Sequence, residues 1–150
     1  ENFSRIMSLK DGTKKMSKSD PSDQSRINMS DEKDQIINKV KKAKTDSAEL
    51  PESDENLNKR PELINLYGIF SSLQNQSLNS TINEFKGKNF SDFKNKLAEV
   101  LVEKICPISN EINKLLKDKK YIDEVLASGS VLAEKIARKK VEDIKQKIGF

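Results

Sequence analysis

Histidine and tryptophan are absent from the 150 residues, and cysteine occurs once, as Cys106. Without histidine the chain cannot build by itself a Ser-His-Asp or Cys-His nucleophile, a His-liganded zinc site or the usual near-neutral proton shuttle. A lone cysteine makes neither an internal disulfide nor a thiolate-rich metal site, and with no signal-like segment it fits a reducing, cytoplasmic setting. No apolar run approaches the ~18 residues that a membrane span requires. Glu1 is not an initiator methionine and opens no targeting region, so the abrupt start leads us to expect a fragment. Aromatics are only 5% of the chain and charged residues 35%, which points to a modest core inside a heavily solvated surface.

What is present still suffices for a fold. Leu, Ile, Val and Phe number 13, 14, 6 and 6, or 39 of 150 residues. That share clears the roughly 20% below which chains usually stay disordered. The net charge of +4 permits a polyanionic partner without demanding one. Abundant Lys, Asn and Ile are also what nucleotide bias in a coding genome produces.

The first thirty residues differ from the rest. Phe3 to Leu9 alternates loosely and reads as a short strand. Lys10 to Ser30 carries turn formers throughout, among them Asp11-Gly12 and Ser19-Asp20-Pro21, and Met16 is the one apolar residue between Lys10 and Arg26, so this loop is expected to be mobile. A single strand needs neighbours for its backbone groups, so its sheet is expected in upstream chain or in a partner.

From Ser30 onward the period is helical. Ser30 is a candidate N-cap, with Ile36, Ile37, Val40 and Ala43 on one face and Lys39, Lys41 and Lys42 opposite. Thr45 to Asn58 reads as a polar linker, and Pro61 suits a helix first turn before Leu63, Ile64, Leu66, Tyr67, Phe70 and Leu73. A short helix is expected over Leu78 to Phe85, stopped by Gly87. A long helix follows Ser91, with Phe93, Leu97, Leu101, Ile105 and Ile112 in register across Pro107, which is expected to kink the helix rather than end it. Phe85 and Phe93 are expected in the core. Two more helices are expected, one from Asp118 closed by Gly129, the other capped by Ser130 with Leu132, Ile136, Val141, Ile144 and Ile148 inward. The fold class is therefore mainly α: a helical bundle behind a short strand and a mobile loop.

Thr13-Lys14-Lys15-Met16-Ser17-Lys18-Ser19-Asp20 concentrates what a phosphate site needs. Lys15 and Lys18, three residues apart in a tight loop, can approach one polyphosphate from the same side. Ser17 and Ser19 add hydroxyl donors, and loop amides can supply more. Lysine is a compact, mobile charge suited to following charge onto a leaving group. On charge spacing alone, a solvated lysine loop is the plainer reading.

The residues themselves add more. Lys15-Met16-Ser17-Lys18-Ser19 resembles the signature loop of class I aminoacyl-tRNA synthetases. The context Arg5-Ile6-Met7-Ser8-Leu9, the run Lys41-Lys42-Ala43-Lys44-Thr45-Asp46-Ser47 and the end Ile148-Gly149-Phe150 resemble the tryptophanyl-tRNA synthetases of bacteria and organelles. This resemblance covers essentially the whole chain and is strongest over its first 47 residues. It implies the carboxy-terminal part of such an enzyme, with residues 1–30 left over from a Rossmann-like nucleotide-binding domain and 31–150 a helical, anticodon-binding region.

The resemblance implies roles as well. Tryptophan would be activated with ATP, accompanied by Mg2+, to the adenylate and then transferred to its tRNA. Lys18 would be the main stabiliser of charge on the β- and γ-phosphates, with Lys15 assisting. Met16, Ser17 and Ser19 would hold the nucleotide, and Ile6 matches a position that contacts adenine, although a buried strand residue is the plainer reading of it. The family also implies a homodimer. Its His-containing motif and its tryptophan pocket belong upstream, so the chain alone is expected to be inactive. Few aromatics are free to stack on unpaired bases, and no individual anticodon contact is legible. Thr45-Asp46-Ser47 reads equally as a loop-orienting element and as a helix-end turn. The competing readings are a stand-alone helical RNA-binding module and the tyrosine-specific relative.

Overall fold

A computed structural model describes residues 5–149. Five helices follow one another: α1 (Lys33–Lys42), α2 (Pro61–Gln74), α3 (Leu78–Phe85), α4 (Phe90–Lys117) and α5 (Lys119–Ile148). Single 3-10 turns cover Asp23–Ser25 and Leu57–Lys59. The chain forms two compact units, Glu1–Asn110 and Glu111–Phe150.

The first unit holds the core. Leu63, Leu66, Tyr67 and Phe70 of α2 pack with Ile82 and Phe85 of α3, Phe93, Leu97 and Leu101 of α4, and Ile36 and Val40 of α1. Its centre is aromatic. Phe93 meets Tyr67 edge-on at 4.8 Å between ring centroids and Phe85 at 4.9 Å, while Phe70 meets Phe85 at 5.1 Å. These separations suit edge-to-face ring attraction. The Tyr67 hydroxyl has no hydrogen-bond partner in this core, and burial pushes its pKa up to about 12.

Helix boundaries follow local chemistry. Pro61 opens α2 in the first turn, where its missing N–H costs nothing. Ser77 caps α3 by accepting from the Ser80 N–H at 3.1 Å, and Lys86 and Gly87 end it, Gly87 with φ +72°. Asn89 accepts from the Asp92 N–H at 2.8 Å at the start of α4. That helix runs through Pro107 without interruption, as the continued apolar register requires.

Several expectations are corrected. The N-cap of α1 is Glu32, in a reciprocal box with Gln35, rather than Ser30. Lys39 does not lie on the solvent face: with Ile36, Val40 and Ala43 it follows the i, i+3, i+4, i+7 rule and is buried. Thr45 to Asn58 is no loose linker, because Leu50 and Leu57 enter the core and Arg60 holds its start. Nor do two helices meet at Gly129. One helix passes through it, since Gly129 has no positive φ and a lone helical glycine is tolerated.

The second unit is a helical corner. Asp118 alone separates α4 from α5 and caps α5 by accepting from the Tyr121 N–H at 3.0 Å. Leu132, Ile136, Val141, Ile144 and Ile148 were expected inward, but each is about half exposed or more. Their steps of three to five residues make an apolar stripe that no described residue covers. Among the described residues no helix is long and apolar enough to cross a membrane. Phe3, Ser4 and Phe150, which entered the strand and chain-end readings, lie outside the described residues.

Candidate functional site: the lysine loop

The segment before the loop makes one antiparallel bridge, Met7 to Lys15, and no longer strand among the described residues. Around it the Met16 N–H donates to the Ile6 carbonyl at 3.0 Å and the Ser8 N–H to the Lys14 carbonyl at 2.8 Å. Asp11 shapes the turn by accepting from the Thr13 N–H at 3.1 Å and the Thr13 hydroxyl at 2.5 Å. Those Thr13 bonds, with Lys14 close by, hold the Asp11 carboxyl below its ordinary range.

Helix α2 carries this hairpin. The Asn65 carboxamide faces Met7, accepting from its N–H at 2.8 Å and donating to its carbonyl at 2.9 Å. Gly12 presses on the start of α2, where a Cβ would lie 2.5 Å from Glu62 N and Pro61 C. Leu9 ties the hairpin to its surroundings, its N–H donating to the Ser25 carbonyl at 2.9 Å and its carbonyl accepting from Lys44 N at 2.7 Å. Lys44 also pairs with Glu62 at 2.8 Å. This bond lowers the Glu62 carboxyl and raises the Lys44 amine.

The returning side of the loop is held by a charged chain. Arg26 donates to the Asp20 carbonyl at 2.9 Å and pairs with Asp23 at 3.2 Å. Asn28 donates to both Asp23 and Asp31. The Lys39 ammonium, 3% exposed, closes the chain with Asp31 at 2.6 Å and Asp23 at 2.7 Å. The Lys39 bond, followed by that from Asn28, lowers the Asp23 carboxyl.

Between these roots lie the residues singled out from sequence. Lys15, Ser17, Lys18 and Ser19 are all exposed, and Met16 turns partly into the core. The Ser17 and Ser19 hydroxyls share a hydrogen bond at 3.0 Å. Lys15 and Lys18 have no ion-pair partner among the described residues, so their charges are free for an incoming anion. Ile6 is 46% exposed, not the buried strand residue that was the plainer reading. Its carbonyl binds Met16, so Ile6 borders the same loop.

Asn65, Arg26, Lys39 and Asp31 escaped sequence reasoning. Two left signals: Asn65 interrupts an apolar run, and Lys39 sits at a core-facing position of α1. Asp46 likewise meets Arg60 in two bonds, at 2.6 and 2.8 Å, while Arg60 also reaches the Ala48 and Glu49 carbonyls. Thr45-Asp46-Ser47 thus lies just beyond the end of α1 with Asp46 pinned by arginine. Of the aromatics considered for stacking on bases, Tyr67 is buried and Tyr121 is half exposed. No cluster of three metal-ligating side chains occurs among the described residues.

An unneutralised lysine pair on a pinned loop, beside packed helices, is suited to meeting a polyphosphate. The chain belongs to the class I tRNA synthetases specific for W and Y, whose family pattern it matches over residues 2–105. It is 49% identical over 146 residues to the tryptophan–tRNA ligase of Agrobacterium fabrum, covering 97% of this chain and 41% of that protein. The tryptophan–tRNA ligase of Rickettsia felis is 43% identical over 150 residues, covering all of this chain and 45% of that protein. The chain therefore spans less than half the length of these relatives. A crystal structure of Campylobacter jejuni tryptophanyl-tRNA synthetase complexed with ADP and tryptophan shares the fold, with TM-score 0.76 at 24% identity, covering 100% of this chain and 45% of that one.

Proposed function

We propose that this chain supplies the ATP-phosphate loop and the tRNA-binding helices of a tryptophan–tRNA ligase. The observation that carries the reading is the pair Lys15 and Lys18, exposed and unpaired among the described residues on a loop whose two roots are fixed. The substrates are tryptophan, ATP with its Mg2+, and tRNA. In the first step a carboxylate oxygen of tryptophan attacks the α-phosphorus, the bond to the β-phosphate bridge breaks, and pyrophosphate leaves. Negative charge grows on that leaving group. Lys18 meets it as a mobile cation and Lys15 assists, an effect that counts most where charge develops. Met16, Ser17 and Ser19 hold the nucleotide, and Ile6 lies against adenine. In the second step a terminal ribose hydroxyl of the tRNA displaces AMP from the adenylate.

Residues 1–30 belong in this reading to the catalytic domain and 31–150 to the tRNA-binding region, whose exposed lysines contact phosphates. The full-length enzyme works as a homodimer in the cytoplasm. Isolated, the chain holds part of the ATP site and makes no adenylate. The test is ATP–pyrophosphate exchange by the full-length protein with tryptophan and tyrosine compared. Exchange driven by tryptophan is expected; exchange driven by tyrosine instead, or none with either, contradicts the reading.

A further inference from the structure

We propose that Asn65 is a positioning residue for the lysine loop, its carboxamide serving Met7 as a substitute for a neighbouring strand. The proposal rests on the reading of the loop as the ATP-phosphate loop. A strand residue offers one N–H and one carbonyl on the side facing away from its paired neighbour, and a buried backbone group left alone is costly. Lys15 occupies one side of Met7. On the other side stands no strand among the described residues, but the end of one side chain from α2. The Asn65 Oδ1 accepts from Met7 N–H at 2.8 Å and its Nδ2 donates to Met7 O at 2.9 Å. Only one orientation of the amide satisfies both bonds. Asn65 is 2% exposed, so no water replaces it cheaply.

The location gives the pair its consequence. Met7 lies directly between Ile6, whose carbonyl receives Met16 N–H, and Ser8, whose N–H binds Lys14 O. Moving Met7 by a fraction of an ångström therefore moves the strand that carries Lys14, Lys15 and Met16. Asn65 itself sits in α2 between Leu63 and Leu66, which are buried in the hydrophobic core. Through one amide, the packed helices set where the loop begins. Leu or Ala at 65 leaves both Met7 groups unpaired; neither reproduces a donor and an acceptor on one plane.

The test uses the full-length protein, with turnover in tryptophan-dependent ATP–pyrophosphate exchange normalised to titrated active sites. Asn65→Ala should lower kcat tenfold or more while the KM for tryptophan stays within twofold. Amide hydrogen exchange should then quicken at Met7 while α2 keeps its protection. A second variant leaves Asn65 in place: an ester replacing the Ile6–Met7 amide removes the Met7 N–H donor, also weakens the Ile6 carbonyl that accepts from Met16 N–H, and should lower kcat at least threefold. Normal turnover per titrated site in both variants, with only the active fraction or Tm reduced, overturns the proposal. Lys18→Ala run in parallel separates the two readings. If it lowers kcat while the Asn65 and Met7 variants do not, the positioning role fails alone; if it does not, the loop's assignment fails and the proposal with it.

Discussion

Gly12→Ala tests how tightly the hairpin is seated on the helical core. Added there, a Cβ lies 2.5 Å from both Glu62 N and Pro61 C and 2.7 Å from Pro61 O. Carbon contacts relax only near 3.5–4.0 Å, so the surfaces must part by roughly 1 Å. The atoms in the way are backbone. They open α2, which is fixed by Pro61 in its first turn and by Leu63 in the core. The hairpin must yield instead, stretching the Asn65–Met7 pair. Overpacking of this kind costs about 1–3 kcal/mol. Since φ at Gly12 is not positive, the cost arises from space rather than from backbone conformation. Gly129→Ala gives the opposite sign, because nothing lies within 4 Å of a Cβ there; helix propensity should add about 0.5–1 kcal/mol. Equilibrium urea unfolding of both variants measures the two effects. A Gly12→Ala protein as stable as wild type would refute the close-approach argument.

Three further outcomes follow from the packing and the charges. Lys39→Met should cost about 3 kcal/mol in urea unfolding, by leaving the nearly buried Asp31 carboxylate without its cation. Adding Asp31→Asn should recover much of that loss, and no recovery would count against burial of charge as the cause. Phe93→Ala should cost about 3–5 kcal/mol, since the ring is fully buried against Tyr67 and Phe85, whereas Tyr121→Ala should stay within about 0.5 kcal/mol. Acid stability should depend on Asp46, whose carboxyl is lowered chiefly by its bonds from Arg60. A depressed carboxyl contributes above its unfolded pKa of about 3.9, and that contribution is lost as pH falls through the lower folded value. The urea midpoint should therefore fall below about pH 4, and less steeply in Arg60→Gln. Equal slopes would contradict the pairing.

The helices were legible where apolar period and punctuation agreed. Pro61 marks the start of α2, Gly87 follows the end of α3, and the register of Phe93, Leu97 and Leu101 runs on through Pro107. Punctuation misled where it acted alone, for glycine at 129 is compatible with a helix that nothing else ends. The lysine loop was legible because its residues carry chemistry in a contiguous string. Its supports were not, since they come from distant sequence: Asn65 is 58 residues from Met7. Lys39 was hidden by its own charge, because burial of a lysine depends on acids whose placement only the fold supplies. The exposure of Ile6 was hidden for a related reason. Alternation gives a strand two faces, and only the packing of α2 tells which one is covered.

Turnover of the full-length Lys18→Ala protein tests the central claim most directly. With active sites titrated, the account predicts tryptophan-dependent ATP–pyrophosphate exchange slower by roughly 10²–10³ in kcat, with little change in KM. Such a split marks an interaction made in the transition state rather than in substrate binding. A kcat equal to that of wild type would contradict it.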